Sequence, residues 1–367
     1  MIIAGFFIAS FGVQMFYYFF FFLRVSISGT NDRIKSSGEA VSVVICARDE
    51  AANLENNLPL ILEQDYSDYE VVVVNDASED DTEEVLDRLK NRYSKLRSTR
   101  IRKDPRFRHG KKLALTIGLK AAKHDWVLLT DADCRPASPL WISKMQSHFI
   151  PSGDIVLGYG GYERKKGLLD KFLRYDTFFI AMQYFSFALA GFPYMGVGRN
   201  LAYRRSMFFA NKGFASHIAL ESGDDDLFVN QVARKGNTRV EFSHLAHTYS
   251  LPPPTWGAWI RQKRRHLTTG FHYRGFTRFL LGMEMLSRLI FYVSLILLLA
   301  NKIYLPYAGI IFIIRLISST LILNMGMNRL NEKKLLVFSP LFDIMIFLIN
   351  ALCVISNSIT QKRSRWR

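Results

Sequence analysis

An α/β domain set between transmembrane helices is the fold class this sequence predicts, on three observations. Residues 2–23, "IIAGFFIASFGVQMFYYFFFFL", carry no charged side chain and can cross about 30 Å of hydrocarbon. From about residue 40 short apolar runs alternate with helical stretches, the pattern of a parallel sheet covered on both faces. Between about 276 and 359 the composition turns apolar again. The expected domains are therefore an anchor over 1–24, an α/β domain over 38–272 that includes interfacial segments, C-terminal transmembrane helices over 276–359, and a basic tail over 360–367.

The first segment reads as a retained anchor rather than a cleaved signal peptide. No basic region precedes it and no small-residue cleavage site follows it. Arg24, Arg33 and Lys35 after it put the middle region in the cytoplasm by the positive-inside rule. Three further segments, about 279–300, 303–324 and 335–356, would then carry the tail "QKRSRWR" to the other face, against the same rule, so either one segment does not cross or the tail is an exception. Arg288 and Arg315 fall inside two of them, which is costly in lipid unless they face protein, water or a lipid phosphate. That leaves the first C-terminal segment as partly interfacial.

Within the middle region, "VSVVICA" (41–47) reads as a buried strand, followed by a helix over 50–64. "YEVVVVNDAS" (69–78) is a second strand, and Ser78 with Asp81 forms a candidate capping box for the next helix. A basic loop and the helix "GKKLALTIGLKAAK" precede a last strand in "WVLLTDADCRP" (126–136). Each strand ends in polar residues: Arg48 and Glu50 after the first, Asn75 and Asp76 at the second, Asp131 and Asp133 at the last. Ligands of such folds gather beyond the carboxyl ends of the strands. Two acids one residue apart suit either a solvated turn or the ligands of a divalent cation.

The net charge is +16. No nucleic-acid module accompanies it, so anionic lipid and phosphate are the expected partners, and nucleic acid is not. No G-x-G-x-x-G follows the first strand and no P-loop is present; "HGKK" (109–112) lacks the upstream Gly and the following Ser or Thr. Cys46, Cys134 and Cys353 lie far apart without metal-ligand spacing, as in a reducing compartment.

"VSVVICARDEAANL", "VVVVNDASEDDT", "GKKLAL" and "LLTDADC", in this order, resemble glycosyltransferase family 2, and the resemblance extends over about residues 40–270. It implies a GT-A (Rossmann-like) catalytic domain and inverting transfer from a nucleotide sugar, with a uracil base expected. In that reading Asp76 and Asp131 orient the nucleotide, Asp133 with Asp131 holds Mg2+ or Mn2+, and Lys111 or Lys112 and Arg265 add positive charge. "LESGDDDLFVN" (220–230) matches the family's acidic motif that supplies the general base. The E-D-x-x-L spacing points to Asp224 and the pattern of the ceramide glucosyltransferase relatives to Asp225; the reading here is Asp225, with Asp224 next.

In "WGAWIRQKRRHLTTG" (256–270), Gln262, Arg265 and His266 stand where membrane-bound members carry Q-x-x-R-W, with His in place of Trp. The basic cluster is equally the pattern of a helix on an anionic membrane surface. Trp256 and Trp259 offer alternative stacking surfaces. "GVGRNLAYRR" (196–205) is a weaker match, with Gly196 and Gly198 permitting close backbone approach and Asn200 expected near the donor. The apolar stretch before it reads as an amphipathic interface or a groove for an acceptor lipid. These features imply a membrane enzyme of the inner membrane moving one sugar to a lipid or lipid-linked glycan acceptor, with a processive polysaccharide synthase as the alternative. A scaffold that keeps the fold without the chemistry is disfavoured by the intact acids. A nucleotidyltransferase is disfavoured because "CARDEAANL" supplies no Gly-rich loop.

Overall fold

The computed structural model describes residues 1–29, 38–103, 110–302 and 304–360. Arg33, Lys35, His109 of the "HGKK" stretch and the tail 361–367 lie outside the described residues. The chain forms two compact units: an α/β unit (38–103, 110–165 and 193–254) and a helical unit (1–29, 166–192 and 255–360).

The α/β unit is built on a seven-stranded sheet of order β3-β2-β1-β4-β8-β6-β9, with a small sheet β5-β10-β7. The strands are β1 (Val41–Ala47), β2 (Tyr69–Asp76), β3 (Leu96–Ile101), β4 (Trp126–Asp131), β5 (Cys134–Pro136), β6 (Ile155–Leu157), β7 (Gly160–Tyr162), β8 (Leu201–Arg204), β9 (Thr238–Val240) and β10 (Thr248–Ser250). β1, β2 and β4 follow the expected runs. Their valines and isoleucines are buried on both faces, as parallel strands under helices require. The helix Lys111–Ala121 packs against β1 and β2, and Ala51–Leu62 packs against Thr82–Arg92.

Three local features differ from the expectation. β3, "LRSTRI", falls in the expected basic loop; it pairs with β2 at the sheet edge, where solvent tolerates its arginines. β8 runs antiparallel to β4, so the sheet is mixed. The capping box at Ser78 does not form: Asp81 is the N-cap of Thr82–Arg92, and the Ser78 hydroxyl instead accepts the Asp49 N–H at 3.0 Å. Asp80 takes over the capping, accepting from Thr82 N–H and Ala51 N–H, each at 3.0 Å, so one carboxylate serves the first turns of two helices.

Register decides what meets at the sheet edge. Cys46 pairs with Asp131 and Ala47 with Asn75, so the loops after β1, β2 and β4 open at the same level. The chain runs outward from β1 through β2 to β3, then returns to place β4 on the other side of β1. That reversal is a topological switch point, where open α/β sheets bind ligands. The antiparallel pair Leu129↔Leu201 sets residues 196–200 beside the end of β4.

Among the described residues, the helical unit contains four helices long and apolar enough to cross a membrane: Ile2–Ile27, Gly275–Ala300, Leu305–Arg329 and Leu336–Asn357. Arg288 and Arg315 face protein rather than lipid. Arg288 Nε donates to Glu284 at 2.6 Å and its Nη1 to Asp343. Arg315 donates to Asp343 at 2.8 Å and to Gln14 at 2.9 Å, while Gln14 donates to the Ser287 carbonyl at 3.2 Å. One network of two acids and two arginines therefore ties all four helices together, and the first C-terminal segment need not be interfacial to shelter its arginine.

The expected domain 38–272 is divided between the two units. The apolar stretch 178–195, expected as an amphipathic interface or a groove for an acceptor lipid, begins inside the helix Leu168–Leu189, which buries Phe172, Tyr175, Phe178, Met182, Tyr184, Phe185 and Phe187. Its Arg174 pairs with Glu332 at 2.5 Å. The helix Trp256–Leu267 joins the same unit through Lys263–Asp176 at 2.6 Å and reciprocal hydrogen bonds between Arg264 and Asn357.

Candidate active site

Three segments of the α/β unit bring charged groups together at the end of β4, and a fourth adds a backbone N–H. Lys111 opens the helix after the basic loop, Asp131 closes β4, Asp224 and Asp225 precede the helix Asp226–Val232, and Gly198 lies in the turn before β8. Lys111 Nζ stands 2.8 Å from Asp131 Oδ1 and 3.1 Å from Asp224 Oδ2. The Gly198 N–H donates to Asp225 Oδ2 at 2.7 Å. A Cβ at Gly198 would lie 3.4 Å from Lys111 Nζ and 3.5 Å from Asp225 Oδ2, ordinary contact distances that place this backbone directly against the pair.

The two central acids differ sharply in proton affinity. Burial pushes Asp224 up, but the Lys111 ammonium outweighs it and holds Asp224 below the usual carboxylate range. Asp225 has no such partner. Burial, then Asp224 and Asp226, push it up to about 7 against the pull of Lys111 and the Gly198 N–H. Burial alone would discharge Lys111, yet Asp131, Asp224 and Asp225 hold its proton affinity well above normal. Asp225 also caps its helix, accepting from Asp226 N–H at 2.7 Å, so the acidic triplet serves the helix start as well as the site.

Asp133 lies one turn further along. Burial and the neighbouring Asp131 raise its proton affinity, and Arg199 pulls it back. Ligand atoms of Asp131, Asp133 and Cys134 lie within 4.8 Å of one another. The Cys134 thiol is buried, donates to Asp133 at 3.4 Å and is held protonated by burial. The donor set that suits a hard cation is thus the carboxylate pair, whose mutual repulsion a divalent ion would relieve.

Other expected site residues take different places. Arg48 and Glu50 are half-buried on the loop after β1, where burial and then Asp133, Asp131 and Asp80 raise Glu50, against a hydrogen bond from Asn53. Asp76 is fully buried at the end of β2. Lys112 and Asn200 are engaged by protein. Lys112 Nζ donates to the carbonyls of His217 at 2.6 Å and Leu220 at 2.9 Å, bracing the loop before the acidic triplet. Asn200 is 0% exposed, donates to the carbonyls of Tyr159 and Ala246, and accepts from Trp141 Nε1 at 3.0 Å. Both side chains are thus tied to backbone beside the expected donor site.

Gln262, Arg265 and His266 lie on Trp256–Leu267 of the helical unit, with His266 exposed. On that helix Trp259 is buried in an aromatic cluster with Phe172 and Trp256, so it offers no stacking surface, whereas Trp256 is partly exposed. Sequence reasoning missed Arg199, present in "GVGRNLAYRR" but passed over for its glycines, and Asp80. It also missed the stitching of the first two loops by Asp49, whose carboxylate accepts from Glu79 N–H at 2.7 Å.

The sequence profile of Glycosyl transferase family group 2 matches residues 126–351, and that of Glycosyl transferase family 2 matches residues 42–209. This chain belongs to glycosyltransferase family 2. Among curated proteins it is 27% identical over 242 residues to a probable glycosyltransferase, YdaM, of Bacillus subtilis, a match that covers 61% of this chain and 54% of the relative. It is 28% identical over 120 residues to poly-beta-1,6-N-acetyl-D-glucosamine synthase of Staphylococcus aureus, covering 33% of this chain and 28% of that protein. The chain thus spans about half or less of the length of these relatives. Among solved structures, a mannosyltransferase from Pyrobaculum calidifontis in complex with GDP-Man and Mn2+ superposes with a TM-score of 0.59 at 19% identity, covering 91% of this chain and 99% of that one. The likeness shows the fold, GT-A.

Proposed function

We propose that this family 2 enzyme is an inverting glycosyltransferase that moves one sugar from a nucleoside-diphosphate sugar to a lipid or lipid-linked acceptor at the inner membrane, with its α/β unit in the cytoplasm. The observation that carries this reading is the meeting of Lys111, Asp131, Asp224 and Asp225 at the switch point of the sheet. Transfer from such a donor needs two things there: positive charge for the leaving diphosphate and a base for the acceptor hydroxyl.

Asp225 is the proposed base, because a carboxyl pushed up to about 7 both gives up and takes a proton near neutral pH. It removes the acceptor's hydroxyl proton as that oxygen bonds to the anomeric carbon. The carbon's bond to the diphosphate oxygen breaks on the opposite face, and the electron pair leaves with the nucleoside diphosphate, so the configuration inverts. Asp224, held ionised by Lys111, keeps Asp225's proton affinity high. Asp76 and Asp131 orient the nucleotide, and Arg48, Glu50, Gln262, Arg265 and His266 are further donor-binding proposals. Asp131 and Asp133 would hold Mg2+ or Mn2+, which supplies charge compensation to the diphosphate.

A second reading, processive synthesis of a polysaccharide, is favoured by the likeness to poly-beta-1,6-N-acetyl-D-glucosamine synthase. His266 in place of the family's Trp argues for the first. The deciding experiment incubates the purified full chain in lipid with radiolabelled UDP- and GDP-sugars and Mg2+ or Mn2+. Label in a discrete lipid-extractable product supports single transfer, label in high-molecular-mass polymer supports the second reading, and label in neither with any donor overturns both.

A further inference from the structure

Arg174, Arg288 and Arg315 of the helical unit meet carboxylates, but Arg199 is held by neutral groups. Its Nη1 donates to Ser250 Oγ at 3.2 Å and to the Gly161 carbonyl at 3.5 Å. Its guanidinium carbon lies 4.9 Å from the centre of the Tyr162 ring. The backbone behind it is pinned by the Thr248 hydroxyl, which donates to the Arg199 carbonyl at 2.9 Å. A Cβ on Gly160 would come within 2.9 Å of Arg199 Cβ and 3.4 Å of its Nε, so the seat exists only because residue 160 has no side chain. Gly160, Gly161 and Tyr162 form β7, and Thr248 and Ser250 belong to β10. The third strand of that small sheet, β5, begins directly after Asp133. The small sheet thus carries the arginine's seat and the metal-site acid on one frame.

We propose that Arg199 is a donor-binding residue, gripping the diphosphate of the nucleotide sugar with the Nε–Nη2 edge of its guanidinium. The assignment rests on reading this site as a nucleotide-sugar site. Both side-chain hydrogen bonds use Nη1, and the Nε–Nη2 edge is a fork matched to two phosphate oxygens. The charge acts on the site already, since Arg199 counters Asp133 and Asp131. A diphosphate brought to these acids by a divalent cation would arrive within the field of a preoriented guanidinium, whose ordering cost the fold has already met. Sequence spacing hides the arrangement, because Arg199, Gly160 and Ser250 are far apart in the chain.

The test uses the full chain in lipid nanodiscs and compares wild type with Arg199→Gln and Arg199→Lys, each checked for an unchanged melting temperature. Binding of UDP and GDP with Mn2+, of uridine and guanosine, and of Mn2+ alone is measured by calorimetry and electron paramagnetic resonance. In Arg199→Gln, nucleoside diphosphate affinity is expected to fall about tenfold to a hundredfold, the range for one charge-assisted contact. Nucleoside affinity should not change. Mn2+ alone should bind more tightly, since a positive neighbour has gone. Arg199→Lys should recover only part of the loss, because it restores the charge but not the fork, and it carries the test if the glutamine variant does not fold. Unchanged diphosphate affinity, an equal loss for nucleoside and diphosphate, or weaker Mn2+ binding would each overturn the proposal. A wild-type protein that binds neither UDP nor GDP would instead sink the nucleotide-sugar reading beneath it.

Discussion

Two clusters of charge in this molecule follow opposite rules. In the helical unit, Glu284 and Asp343 face Arg288 and Arg315, two charges of each sign, drawn together from helices far apart in sequence. In the α/β unit, Asp131, Asp133, Asp224 and Asp225 gather around Lys111, with Arg199 acting on Asp133 and Lys112 on Asp224. The first cluster is balanced, and its groups have nothing left to offer a ligand. Among the described residues the second gathers four carboxylates around Lys111, and burial and crowding raise the proton affinity of Asp133 and Asp225. Removing one partner from a balanced buried cluster is costly, whereas carboxylates of perturbed proton affinity crowded at a sheet edge mark a candidate functional site.

The largest expected effect belongs to the unbalanced cluster. Asp225→Asn should lower transfer by about a thousandfold, within the range for losing a general base, with nucleoside diphosphate affinity kept, as measured by turnover and calorimetry on one preparation. Its stability should change with the opposite sign. The native state holds the Asp225 proton more tightly than the unfolded chain does, so this group favours the fold below the ordinary Asp pKa and loses that contribution as pH rises through about 7. The asparagine variant should therefore melt no lower than wild type at pH 8. If turnover survives in Asp225→Asn and is lost in Asp224→Asn, the base is Asp224.

Breaking the balanced cluster should show the reverse pattern. Asp343→Ala strips the carboxylate from both Arg288 and Arg315 and leaves buried charge uncompensated, at a cost of about 3–5 kcal/mol. Thermal unfolding in lipid should register it as a large drop in melting temperature. Nucleoside diphosphate affinity, measured below that transition, should stay at the wild-type value. If Asp343→Ala melted like wild type, the network would not be what joins the four helices.

Which of these features the sequence discloses depends on how local their causes are. β1, β2 and β4 are legible because a buried parallel strand must be apolar on both faces, and "VSVVICA", "YEVVVVND" and "WVLLTD" are. β3 is not, because an edge strand tolerates arginines that look like a loop. The convergence of Lys111, Asp131 and the acidic triplet was foreseen through motif order. The register within the triplet was left to a choice between patterns, since three consecutive acids look alike until one of them meets Lys111. The backbone ties of Lys112 and Asn200 are not legible either, because in sequence a polar residue beside a site looks the same whether or not carbonyls hold it. The Gln14, Arg315 and Asp343 ties cannot be read locally at all, since nothing near Arg315 in the chain announces its partners.

A smaller effect tests the frame beneath the acidic site. Asp80→Ala removes the acceptor for Thr82 and Ala51 N–H groups at two helix starts, at a cost of about 1–2 kcal/mol. Because Glu50 stands on the loop so held, hydrogen exchange should rise locally at Asp49–Ala51 and Ser78–Thr82 while the β4 amides stay protected. Uniform exchange would mean that the loops are held by something other than Asp80.

The smallest effect is the most specific to the imbalance itself. If Asp225 must be ionised to accept the proton, transfer rises with pH through about 7 in the wild type. Part of that elevation is the neighbouring Asp224 charge. Asp224→Asn removes it and frees Lys111 to act on Asp225 more strongly, so both changes lower the proton affinity of Asp225. The acid limb of the pH–rate profile should then move to lower pH, whatever the height of the plateau does, because height reports how well the site is assembled and position reports only the ionisation. An unmoved limb would show that the group titrating near neutrality is not Asp225, and a limb moved to higher pH would show that Lys111 leaves the site when Asp224 loses its charge.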